Sequence, residues 1–133
     1  MRRTVLGLIT FLLLTASCVG NKSIFDQNGN LAKLGDPVKI EYFEHVSGGA
    51  FTYEDAPSFV ITDQQEVKTA LNEIRNASNP EPWKGAGWNK IKIHYADTIV
   101  ELNTNNRKIG TSASGSFYDL DKENFITRHL KNP

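Results

Sequence analysis

Residues 88–95, Trp88-Asn89-Lys90-Ile91-Lys92-Ile93-His94-Tyr95, decide the fold class. Ile91, Ile93 and Tyr95 alternate with Lys90, Lys92 and His94. Period-two alternation sends one set to a buried face and the other to water, so this is a strand with one wet side. Ala96-Asp97 is too short a connection for anything but an antiparallel return, and Thr98 to Thr104 supplies it. Asn105-Asn106 tolerates positive φ and turns the chain again. Arg107 to Ala113 is the next strand, and Ser116-Phe117-Tyr118 extends it past Gly115.

Upstream, Pro37 precedes Val38–Val46, rich in β-formers, and Ser47-Gly48-Gly49 breaks it in hairpin fashion, with Ala50–Tyr53 pairing back. Ser58–Thr62 is a second strand. Asp63 then opens a helix: Val67, Ala70, Leu71 and Ile74 fall at i, i+3, i+4 and i+7, and Asp63 with Glu66 has capping-box spacing. The helix is expected to end at Asn76 or Ala77, ahead of Pro80 and Pro82. Residues 78–87 read as a loop. The tail has two readings: a short helix capped by Asp121 with Phe125, Ile126, His129 and Leu130 on one face, which is preferred, or a last strand from Phe125. The pattern predicts an α+β domain: an antiparallel sheet of about five strands, one main helix on one face, order ββαβββ(α).

The N-terminus reads differently. Met1-Arg2-Arg3-Thr4 is positive, Val5–Leu14 is apolar and uncharged, and Thr15-Ala16-Ser17 are small. These are the three parts of a secretory signal. Ten apolar positions fall short of the roughly 20 that span a bilayer as a helix. Leu14-Thr15-Ala16-Ser17-Cys18 resembles the lipobox of bacterial lipoproteins, with Thr15 where the class prefers leucine. The resemblance covers residues 1–18 and implies that the leader 1–17 is removed and that the thiol of Cys18 takes a diacylglycerol, the new amine often being acylated. It places the chain in the bacterial cell envelope, on the outer membrane if the host is Gram-negative, since no aspartate follows Cys18. No cofactor is expected beyond this covalent lipid. Residues 18–36 form the lipidated N-terminus and a polar tether, on which Ile24, Phe25, Leu31 and Leu34 are apolar enough to dock, and residues 37–133 form one domain.

Of 133 residues, 116 follow the leader, enough for a core without staples. They carry thirteen basic and fifteen acidic side chains, and a net charge of −2 argues against nucleic acid and against electrostatic membrane binding. One cysteine excludes an internal disulfide and multi-thiolate metal sites.

No catalytic motif assembles. His45, His94 and His129 lack metal-ligand spacing. Ser47-Gly48-Gly49 and Ser112–Ser116 lack the nucleophile elbow and a base. Glu41 and Glu101 sit on strands and could flank one sheet face, as solvated carboxylates also do. The most unusual segment is Pro80–Trp88, where Trp83 and Trp88 bracket small residues. They are candidates to contact a partner or, as is commoner for tryptophan, to plug the edge of the core. The expected role is a non-catalytic binding, inhibitor or adaptor module tethered to a membrane and bound to an envelope protein. A saccharide or cell-wall binder is the alternative, and a small hydrolase is less favoured. A saccharide site requires exposed, near-parallel rings; a hydrolase requires His45 or His94 beside a serine or carboxylate in a pocket.

Overall fold

The computed structural model describes residues 24–27, 31–49, 51–82, 84–85, 87–111 and 115–132. The chain is α+β. Its strands are β1 (Lys39–Phe43), β2 (Phe59–Ile61), β3 (Ser78–Pro82), β4 (Asn89–His94), β5 (Ile99–Thr104), β6 (Lys108–Thr111) and β7 (Ser116–Asp119). They form one antiparallel sheet of seven strands, in the order β2-β1-β4-β5-β6-β7-β3. The helices are α1 (Ile24–Gln27), α2 (Gln64–Asn76) and α3 (Phe125–Lys131), with a 3-10 turn at Leu31–Lys33.

The expected count of five strands is corrected to seven for two local reasons. Ser116-Phe117-Tyr118 does not prolong the preceding strand. Gly115 at φ 64° helps reverse the chain, and β7 pairs back on β6, Ile109 opposite Tyr118. Ser78–Pro82, read as loop, is the outer strand β3. Prolines donate no ladder hydrogen bond and are therefore confined to edges. Pro80 and Pro82 fit there because β3 pairs only with β7, through a register shift between Ser78 and Glu81 that includes Asn79 at φ 55°. The same features blunt the edge against pairing with another chain.

Ile40, Tyr42, Ile61, Ile91, Ile93, Leu102, Ile109 and Tyr118 alternate onto one sheet face and are fully buried. The expected stripe of α2, Val67, Ala70, Leu71 and Ile74, packs into the same core, and the Asp63 carboxylate caps α2 by accepting from the Gln65 and Glu66 amides. Ile24 and Phe25 belong to that core too, while Leu31 and Leu34 pack half-buried against it. α1 lies against α2, with the Arg75 guanidinium 5.4 Å from the Phe25 ring centre. The tail is the helical alternative, but its cap is Asn124 rather than Asp121. The Asn124 side chain accepts from Ile126 and Thr127, and Thr127 Oγ1 accepts from the Asn124 amide. Glu73 on α2 accepts from the Phe125 amide and pairs with Arg128, fastening α3 alongside.

Tyr42 ties β1 to the β5–β6 turn and to β2. Its hydroxyl donates to Asn106 Oδ1 at 2.8 Å, and its ring stacks on Phe59 at 4.9 Å. Burial pushes its pKa up to about 12, against the lowering effect of the Asn106 bond. The unfolded phenol ionises near 10, so between these values the unfolded state holds fewer protons and stability falls as pH rises. This contribution is complete below about pH 10 and is lost by about pH 12, on the order of 2 kcal/mol. Urea unfolding at pH 9 and pH 11.5 is expected to show the drop in the native chain and a shallower one in Tyr42→Phe. Equal slopes would count against it.

Candidate functional site

All three helices lie on one side of the sheet, and the opposite face of β2, β1, β4 and β5 carries the polar half of the alternation. The cross-strand rows follow from the register. Glu41 pairs with Val60 on one side and Lys92 on the other, and Lys92 faces Glu101. Lys39, His94 and Ile99 form the next row towards the β4–β5 turn. In the other direction lie Phe43, Lys90, Asn103, Gly110 and Phe117.

The charges on this face are paired. Glu41 takes Lys39 Nζ at 3.0 Å on one oxygen and His94 Nε2 at 2.5 Å on the other. Partial burial raises the Glu41 pKa, but these two hydrogen bonds and their charge outweigh it and hold the carboxyl below its usual range. Glu101 lies 3.1 Å from Lys90 and 3.8 Å from Lys92. Lys108 bonds Asp119 at 2.6 Å and Glu81 at 3.1 Å, which raises the lysine pKa, and the contact lowers that of Asp119. The four lysines thus stand against four carboxylates.

Three of the lysines also lie over aromatic faces: Lys90 is 4.2 Å from the centre of Tyr53, Lys92 4.9 Å from Phe43 and Lys108 5.1 Å from Phe117. Each contact is worth about 0.5–1 kcal/mol when exposed. The ladder of lysines over rings was hidden from the sequence, because Tyr53 and Phe117 reach the face from distant segments. The alternation of Lys90, Lys92 and His94 announced only that the face is wet.

The expected site residues separate. His45 lies beyond the Phe43 end of β1, with Nε2 2.6 Å from the Gly49 carbonyl and its ring edge-on to Tyr53. Its amide donates to Asn89 Oδ1, and a single bridge joins it to Tyr53, the pairing back that the glycines suggested. His94 pairs across from Lys39, at the other end of β1. His129 is on the helix side, stacked on Phe59 at 4.7 Å with Nδ1 on the Phe125 carbonyl. Among the described residues, no three histidine, cysteine, aspartate or glutamate side chains gather as for a metal ion. Glu41 and Glu101 do share a face, two strands apart and so about 10 Å between backbones. Each is occupied by cations.

Trp88 is half-buried, its ring 5.1 Å from that of Phe117 and tilted by 39°. Phe117 is only 4% exposed. These two rings do not form the exposed, near-parallel pair that a saccharide platform requires. Cys18, Trp83 and residues 112–114 lie outside the described residues. Among the described residues, no helix is long and apolar enough to cross a membrane. On the helix side, a depression of about 190 Å³ runs between α2 and α3, where Glu66 faces His129 at 3.7 Å. Comparison with protein families, with curated proteins and with solved structures gives no match.

Proposed function

We propose that this chain is a lipid-anchored envelope protein whose folded domain is a non-catalytic module that binds another envelope protein through the open face of its sheet. One observation carries the binding surface: among the described residues, the helices cover one side only. On the other, Val60 (42% exposed) and Ile99 (51% exposed) flank a charge-balanced ladder. A surface with paired charges and scattered apolar side chains suits a protein partner better than a polyanion. It suits sugar less well, because ring faces that would stack on a pyranose already carry lysine ammonium groups. The His94–Glu41 pair resembles half of an acid–base machine, but the hydrogen bonds from Lys39 and His94 hold the Glu41 carboxyl below its usual range, so it is a poor proton donor. The anchor rests on the signal and lipobox pattern of residues 1–18.

Photo-crosslinking in the source cell separates these claims. A photoreactive residue at Ile99 or Lys92 is expected to give a discrete adduct with one protein, and the same residue at Asn72 on the outer side of α2 none. Adducts from Asn72 alone, or none anywhere, would overturn the surface. Mass spectrometry finding Cys18 unmodified would overturn the anchor.

A further inference from the structure

Resting on the lipid anchor proposed above, we infer that the helix layer of the domain faces the bilayer at close range and that the open sheet face and the 45–53 hairpin point away from it. The argument begins with where the folded body starts. Ile24 and Phe25 are 0% and 2% exposed, so the chain is fixed to the helix side of the sheet at these two residues. Only residues 19–23 separate this point from Cys18. Six Cα–Cα steps span at most about 20 Å even when fully extended. A tether running freely to Asp36 would have reached about 60 Å and left the domain free to turn over.

The docking point also has a definite place. Arg75, whose guanidinium covers Phe25, also acts electrostatically on Tyr95 beside the β4–β5 turn. The hairpin that carries Phe51, 70% exposed, leaves the Phe43 end of β1, opposite the Lys39–His94 row. The short leash therefore starts on the helix side and near the end of the sheet remote from Phe51.

A second observation points the same way. On α2, Lys68 lies two turns before Arg75 and shares its stripe, the flank that meets α1. The acids of the helix, Glu66 and Glu73, turn to the other flank and pair with His129 and Arg128 of α3. Two cations, Lys68 and Arg75, thus lie on the flank of α2 that meets α1, within a mature chain of net charge −2, as an anionic lipid surface would favour. Burial of the acyl chains supplies the binding, and this asymmetry contributes only to orientation.

The test uses the full lipidated chain in vesicles of zwitterionic lipid with a fraction of anionic lipid and a headgroup-linked energy-transfer acceptor. With the native cysteine acylated, a single fluorophore is placed through Lys68→Cys, Ile99→Cys or Phe51→Cys. Transfer is expected to be severalfold stronger from position 68 than from 99 or 51. A flexible Gly/Ser insert of about a dozen residues between Asn21 and Lys22 is expected to abolish the difference while the protein still floats with the vesicles. Equal transfer from all three positions, stronger transfer from 99 or 51, or an order unchanged by the insert would overturn the inference and leave the anchor intact. Failure to float would instead overturn the anchor, and the orientation with it.

Discussion

Gly110→Ala is expected to lower the stability of the domain by about 3 kcal/mol, a large change for one added methyl group. Gly110 lies in β6 between Asn103 and Phe117 on the open face. A Cβ built there would stand 2.3 Å from the Ser116 carbonyl oxygen and 2.9 Å from both Cα and Cβ of Phe117. None of these is the tip of a flexible side chain, so relief requires β6 and β7 to separate or Phe117 to leave its place. Overpacking typically costs about 1–3 kcal/mol and more when backbone must move. Because Phe117 supports Trp88, the tryptophan emission of the still-folded variant should shift as well. Urea unfolding gives the energy, and a loss below about 1 kcal/mol, within the range of ordinary substitutions, would refute the packing argument.

That residue shows where the sequence was legible and where it was not. The period-two run at Lys90–Tyr95 and the helical stripe at Val67–Ile74 are local signals, and both elements formed as read, Asp63 cap included. Gly110 looks like any glycine in a strand. Its necessity arises from β7, whose pairing depends on a turn at Gly115. β3 was missed for a related reason. Two prolines argue against a strand unless the segment lies at an edge, and edge position is a property of the whole sheet. The cap of α3 was misplaced because Asp121 and Asn124 are both good capping residues in sequence. The choice between them was made by the Asn106 turn, eighteen residues away.

The candidate surface was legible to a similar degree. Alternation identified its polar members Lys90, Lys92 and His94, while Glu41 and Glu101 were legible only as strand carboxylates able to flank one sheet face, and the register sets them beside the lysines. The pairing of each lysine with a ring and a carboxylate depends on strand order and so needed the structure. The apolar side chains Ile24, Phe25, Leu31 and Leu34 were recognisable as able to dock. That the first two are fully enclosed is what shortens the chain between Cys18 and the folded body.

Asn124→Asp is the substitution expected to be most misleading on paper, costing about 3–5 kcal/mol although Asn and Asp are equivalent helix caps. Asn124 is 0% exposed and uses both ends of its amide. Oδ1 accepts from the Ile126 and Thr127 amides, a role a carboxylate fills equally well. Nδ2 donates to the carbonyls of Asn106 at 2.9 Å and Asp121 at 2.8 Å. A carboxylate there has no hydrogen to offer and sets a buried negative oxygen against two carbonyl oxygens. Leaving one buried acceptor unpaired costs about 1–3 kcal/mol, and a buried charge without a partner costs more. Asn124→Ala should be milder, near 3 kcal/mol, since it removes the cap and the two donor bonds without adding charge. The control is Asp63→Asn on α2. Asp63 caps through the same two amides but from an exposed position, so the exchange should change stability by less than about 0.5 kcal/mol. Thermal and urea unfolding of the three variants at pH 7 decides the matter. If Asn124→Asp matched Asp63→Asn, the bond from α3 to the β5–β6 turn would be incidental. If it fell below Asn124→Ala, the amide donors would be what joins the last helix to the sheet.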